Sequence, residues 1–302
     1  MSSTPSISLS IKSNTNTNSK KKIKIKKKKA QTKNVVDAND IYKKMKHREH
    51  IYEKPDTYVG SAENEDIITY VFDNENNMIV QKELRYPPAW YKCFDELIVN
   101  AHDHKKRMDK QISDMGTKKH KYKPVTTIKV NINENGSISF YNDGDGIHIE
   151  YLTKYDMYPV ELIFGTLLSS TNFNDNDKRE WGGRNGYGAK LANIFGKEFT
   201  VETVDHVNKK KLVQTFSNNM KDKTQPKITN AEKKHPYTKI TWLPDYKKFN
   251  MTGMTKELEN IIKKRVYDIA GVTDKKTKVY FNDKQVECRE FEKYVDLYIG
   301  NS

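Results

Sequence analysis

The sequence predicts an α/β (α+β) two-layer sandwich with a mixed, mostly antiparallel sheet. Two stretches carry apolar residues at three- and four-residue spacing, which marks an amphipathic helix: 89–107, through Trp90, Tyr91, Phe94, Leu97, Ile98 and Ala101, and 255–270, through Leu258, Ile261, Ile262, Val266 and Ile269. Between them, strand-like runs at 125–132 and 137–141 flank Asn135-Gly136, a dipeptide that favours the tight turn of an antiparallel hairpin. No internal repeat is present, and the hairpin excludes a purely parallel βαβ design.

Taken in order, residues 40–50 read as a helix, and Glu53-Lys54-Pro55-Asp56-Thr57-Tyr58-Val59-Gly60 as a turn-rich loop leading into short strands. Pro87-Pro88 suits the first turn of the helix at 89–107. A second helix is expected over 158–168, with Pro159 near its start, then a polar stretch from Ser169 to Glu180 and a glycine-rich loop entering a short helix at 189–195. Strands are expected at 199–204, 212–216, 237–242 and 278–281.

Charge bounds the partners. The 302 residues hold 54 Lys+Arg against 40 Asp+Glu, a formal +14, which points to a polyanion. Ten of the lysines and no acid fall in residues 1–34, leaving 44 basic against 40 acidic residues beyond them. Residues 1–34 are Ser/Thr/Asn-rich and then Lys-rich with no apolar periodicity, and read as a disordered basic arm. A solvated tail, a nuclear-localisation signal and a nucleic-acid anchor all fit that composition. No run of about 18 apolar residues and no apolar signal segment is present, which argues against a membrane or secreted protein and for an intracellular one. Two cysteines, Cys93 and Cys288, are too few for a disulfide framework or a Cys-rich zinc site and read as plain thiols.

Three segments carry chemistry. In Phe94-Asp95-Glu96-Leu97-Ile98-Val99-Asn100, Glu96 and Asn100 are one helical turn apart and share a face; the carboxylate suits water activation and the carboxamide oxygen suits Mg2+. A solvated polar face accounts for the pair equally well. In Asn142-Asp143-Gly144-Asp145-Gly146, an acid between glycines at a strand end can accept from an exocyclic amine such as that of adenine; an ordinary Asp-Gly turn is the other reading. Gly182-Gly183-Arg184-Asn185-Gly186-Tyr187-Gly188-Ala189-Lys190 offers freed backbone N–H groups and a lysine to an anion, but it matches neither the Walker spacing nor the dinucleotide fingerprint.

In this order the three segments resemble the Bergerat (GHKL) ATP-binding fold, shared by gyrases and type II topoisomerases, MutL-like repair proteins, heat-shock chaperones and histidine kinases. Residues 49–61, 94–101, 163–172 and 182–190 closely resemble the ATPase domain of the eukaryotic and viral type IIA DNA topoisomerases, and 265–271 with 294–298 extend the resemblance over roughly 40–300. The resemblance implies helices on one face of the sheet, an ATPase domain over 35–300, and ATP with Mg2+ as cofactors. It makes Glu96 the general base and Asn100 the Mg2+ ligand, and sets Asp143 with Gly146 on the adenine. Ser170, Thr171 and Asn172 fall on ribose and phosphate, and Gly183, Arg184, Asn185, Gly186, Tyr187, Gly188, Ala189 and Lys190 around the triphosphate, with Thr238 in the strand closing the adenine side. It further implies a homodimer, double-stranded DNA as partner, a nuclear location or a site of viral DNA replication, and transducer, TOPRIM and cleavage domains that this chain lacks and that lie in the same or a separate chain.

One departure is local: the family motif Asn-Ala-Ala-Asp-Asn reads Asn100-Ala101-His102-Asp103-His104 here, and two histidines two apart on a helix diverge, so they are not expected to be metal ligands. A truncated ATP-binding protein without turnover of its own, a mismatch-repair or chaperone-like ATPase, and a non-catalytic nucleic-acid adaptor are the alternatives.

Overall fold

The computed structural model describes residues 44–115, 122–169, 186–233, 235–288 and 290–300. The chain divides into two units, Met1–Lys44 and Met45–Ser302. The basic arm expected over 1–34 lies outside the described residues, and every element below belongs to the second unit.

Helix α1 (His47–Glu53) is followed by a single 3-10 turn, Pro55–Thr57, with proline supplying the fixed φ of its first position. Strands β1 (Glu65–Asp73) and β2 (Met78–Tyr86) form a separate antiparallel hairpin. Helix α2 (Pro88–Asp114) buries Trp90, Cys93, Phe94, Leu97, Ile98, Ala101 and Met108. It outruns its expected end by two turns because Met108 continues the apolar stripe and Lys105, itself buried, is neutralised by Asp109 and Asp274.

Strands β3 (Thr127–Ile132) and β4 (Ile138–Asp143) make the expected hairpin. Helix α3 (Pro159–Gly165) stops short of Leu168 as Thr166 turns extended. Helix α4 (Gly188–Ile194) leads into β5 (Gly196–Asp205) and β6 (Lys210–Ser217); the short edge strands β7 (Asp222–Lys223) and β8 (Lys227–Asn230) both pair with β6. Strand β9 (Tyr237–Pro244) precedes helix α5 (Lys256–Val272), whose N-cap Thr255 side chain accepts from the Leu258 N–H. Strands β10 (Lys278–Phe281) and β11 (Lys284–Gln285) and helix α6 (Phe291–Ile299) complete the described elements.

The main sheet runs β11-β10-β3-β4-β9-β5-β6-β7 with β8 beside β6, and among the described residues β10 against β3 is its one parallel pair. This is the mixed, mostly antiparallel sheet that the hairpin signals predict. Alternate residues Ile138 and Phe140 of β4 are buried, and Phe140 meets the Phe94 ring of α2 at 5.8 Å. Each such buried side chain contributes about 1.5–3 kcal/mol, so the helix is anchored on the strand that ends at Asp143. Cys93 and Cys288 are free and buried; burial pushes the Cys288 thiol up to about 11. Among the described residues no helix is long and apolar enough to cross a membrane.

Candidate active site

Helix α2 uses three faces. Phe94, Leu97, Ala101 and Met108 enter the core. Glu96, Asn100, His104 and Arg107, spaced by four, four and three residues, share a second face. Asp95 and Lys105 lie on a third, toward α5 and the loop after it.

Glu96 is half-buried. Its Oε1 lies 2.5 Å from Lys92 Nζ, one turn back, and its other oxygen lies so close to Gly188 that a Cβ there would overlap the carboxylate. The first residue of α4 must therefore be glycine for Glu96 to keep this place. Asn100 follows one turn along, also half-buried. His104 Nδ1 meets Arg107 Nη2 at 2.7 Å, and burial, aided by the Arg107 charge, pushes His104 down to about 3, so the imidazole is neutral. Burial also lowers His102. Among the described residues no cluster of three or more His, Cys, Asp or Glu could hold a metal ion.

The strand end differs from expectation in one respect. The Asp143 carboxylate accepts from the backbone N–H groups of Thr126 (2.7 Å) and Thr127 (2.8 Å) and from the Thr126 hydroxyl (2.5 Å), so it is committed to the start of β3. Asn142, one residue earlier, is buried on the same face of β4 as Ile138 and Phe140, the face that α2 covers. The period-two pattern Ile138, Phe140, Asn142 is the sequence signal that separates the two residues. Beyond them, Gly144 has φ +92°, and Gly146 is pressed so closely on the Val204 carbonyl that no Cβ fits. Two side chains of β5 stitch this loop down: Thr203 Oγ1 accepts from the Ile147 N–H at 2.9 Å and Asp205 from the Ile149 N–H at 2.8 Å. Thr238 of β9 stands 3.3 Å from the Thr203 hydroxyl, under the same loop.

On the opposite side, Gly186 has φ +63°, which a residue with a Cβ rarely adopts, and Tyr187, Gly188, Ala189 and Lys190 enter α4. The Tyr187 ring lies 5.9 Å from His47 of α1, and His50 Nδ1 lies 3.0 Å from the Tyr58 hydroxyl, so the Lys54–Tyr58 turn and the glycine-bearing loop are neighbours. Lys190 is buried; its ammonium donates to the carbonyls of Ser169 (2.5 Å) and Gly186 (2.7 Å), and burial pushes it down to about 8. It thus ties Ser169 to Gly186. Ser170, Thr171, Asn172, Gly183, Arg184 and Asn185 lie outside the described residues. Neither Arg107 nor Thr203 belongs to a motif; Arg107 is legible from its spacing to Glu96 and Asn100, whereas Thr203 is a strand residue with no local mark.

Comparison with known proteins gives the family of the chain. No protein-family model matches the chain. It is 43% identical over 265 residues to DNA topoisomerase 2 of Meyerozyma guilliermondii, covering 87% of this chain and 18% of that protein. It is 43% identical over 271 residues to DNA topoisomerase 2 of Acanthamoeba polyphaga mimivirus, covering 88% and 20%. The crystal structure of the ATPase region of Saccharomyces cerevisiae topoisomerase II superposes with a TM-score of 0.80 at 40% identity, covering 87% of this chain and 66% of that one. The chain thus spans about a fifth of the length of the curated relatives it matches. By sequence and by its GHKL fold, it belongs with the N-terminal ATPase region of the eukaryotic and viral DNA topoisomerase 2 family.

Proposed function

We propose that the chain binds ATP with Mg2+ between the Glu96 face of α2, the end of β4 and the loop entering α4, and hydrolyses it with Glu96 as general base. The observation that carries this reading is the Glu96 carboxylate lodged against the Gly188 backbone, where the loop that would cradle the triphosphate enters its helix. From there Glu96 takes a proton from water attacking the γ-phosphate in line, and Lys92 orients the carboxylate. A lone carboxamide does not make a metal site, so Asn100 Oδ1 would hold Mg2+ jointly with phosphate oxygens and water; when bound, the ion neutralises charge on the phosphates. We assign the adenine side to Asn142, because the Asp143 carboxylate is occupied by β3 donors, with Gly146 and Thr238 shaping the pocket wall. Ser170, Thr171 and Asn172 would contact ribose and phosphate, and Gly183, Arg184 and Asn185 the triphosphate, as the family likeness implies.

Within a longer enzyme of the kind its relatives represent, this domain acts as the ATP-operated gate that dimerises around one DNA duplex as it is passed through another, in the nucleus or at a site of viral DNA replication. Calorimetric titration with a non-hydrolysable ATP analogue tests the core of the reading: one Mg2+-dependent site is expected, and no binding overturns it. Lys190→Met is expected to weaken triphosphate binding more than adenosine binding. With its pKa near 8, Lys190 is charged below that pH and neutral above it, so triphosphate affinity of the parent chain falls as pH rises from 7 to 9.5 while the variant stays flat across that range. Equal losses for adenosine and triphosphate would remove Lys190 from the phosphate site.

A further inference from the structure

Glu96 and Asn100 hang from one helix, so their aim depends on how that helix is rotated. Its core face anchors it on β4, but the hydrophobic term that buries that face is non-directional. Two ion pairs on a different face add directed bonds that oppose rotation. Near one end, Arg265 Nε of α5 donates to Asp95 Oδ1 at 2.7 Å, and Asp95 is the residue next to Glu96. Ten residues on, about 15 Å along the axis, the buried Lys105 is bonded to Asp274 in the loop that follows α5 and to Asp109 of its own helix. Glu96 and Asn100 fall between the two ties.

The Arg265 end is itself held. Its Nη1 lies 3.6 Å from Asp268 Oδ2, and Asp268 accepts from Lys264 at 2.9 Å and from the Tyr294 hydroxyl of α6 at 2.8 Å. Arg265 and Asp95 are both mostly screened from solvent, with side chains 25% and 21% exposed, so this is not a loosely hydrated surface pair.

We propose that Arg265 is a positioning residue for Glu96: through Asp95, and with Lys105 as the second tie, it sets the rotation of α2 that presents the Glu96 carboxylate to Gly188 and to the attacking water. The inference rests on the reading of Glu96 as general base. Adjacent residues on a helix point about 100° apart, so a small rotation that Asp95 no longer resists moves the Glu96 carboxylate off the line of attack. A misplacement of about 1 Å is enough to cost up to roughly a hundredfold in rate.

The test uses the full chain with Asp95→Asn, Arg265→Ala and Arg265→Lys. Four quantities are measured: melting temperature, affinity for the Mg2+-bound non-hydrolysable ATP analogue, single-turnover hydrolysis, and affinity for Mg2+ with ADP and aluminium fluoride, which mimics the phosphoryl group in flight. In Asp95→Asn and Arg265→Ala, hydrolysis and affinity for the mimic are expected to fall about 10- to 100-fold together, with analogue affinity within threefold of the parent and Arg265→Lys recovering most of the loss. Hydrolysis and mimic affinity within twofold of the parent in both variants would overturn the proposal. So would a uniform loss of all four quantities in the isosteric Asp95→Asn, which would make the pair purely structural. A parent chain that binds neither nucleotide would instead overturn the reading of the site itself.

Discussion

Glu96→Gln is expected to lower ATP turnover by roughly 10²- to 10⁴-fold, the range a positioned general base supplies, while affinity for the Mg2+-bound analogue stays within about threefold. Glutamine keeps the length and shape that fit against Gly188, so the loop entering α4 is not displaced. It removes the proton acceptor and the partner of Lys92, whose ammonium is then left facing a neutral amide. The separation of turnover from binding is the content of the prediction, because a merely structural Glu96 would lose both or neither. Single-turnover hydrolysis beside calorimetry measures it, either on the chain or on a chimera in which it replaces the corresponding region of the yeast homologue. Unchanged turnover would remove Glu96 from the chemistry and leave the carboxylate as a packing contact of α4.

The parts of this fold that could be read from the sequence are those whose signal is local. Helices α2 and α5 announce themselves through apolar spacing, and the β3–β4 hairpin through Asn135-Gly136; all three occur in the structure. Strands β7, β8 and β11 are two to four residues long and mostly polar, so no periodicity marks them; they exist because an edge strand offers backbone partners. In the site, Glu96, Asn100 and Lys190 carry a motif and a spacing. The sequence marks Asp143 by its carboxylate, whereas which face a strand residue takes is set by alternation, and Asn142 falls on the helix side with Phe140. The Asp95–Arg265 pair joins residues 170 apart and the Lys105–Asp274 pair residues 169 apart. No window along the chain contains both members, so neither tie is visible until the chain is folded.

Gly146→Ala is expected to be the most damaging small substitution in the site, because the added methyl meets backbone rather than a movable side chain. A Cβ at 146 would overlap the carbonyl carbon and oxygen of Val204 in β5, a central strand paired on both sides with β6 and β9. That strand cannot retreat without breaking its own ladder, so the loop must lift instead. Lifting it breaks the Ile147 bond to Thr203 and strains the Ile149 bond to Asp205, a carboxylate that is buried and depends on its hydrogen bonds to stay ionised. Forcing atoms into a packed contact of this kind costs about 1–3 kcal/mol, a fall of roughly 2–12 °C in melting temperature for a domain of this size. Because the same loop follows Asn142 directly, nucleotide affinity is expected to fall with it. Thr203→Val supplies the graded comparison: it leaves Gly146 in place and removes only the hydroxyl, which accepts from the Ile147 N–H and donates to the Tyr237 carbonyl at 3.0 Å, a loss of about 1 kcal/mol for each bond. Thermal melts and analogue titrations should therefore rank the parent chain above Thr203→Val, and Thr203→Val above Gly146→Ala. A Gly146→Ala chain that melts and binds like the parent would show that the loop is free to move off β5, and that the adenine side is not held in the way described.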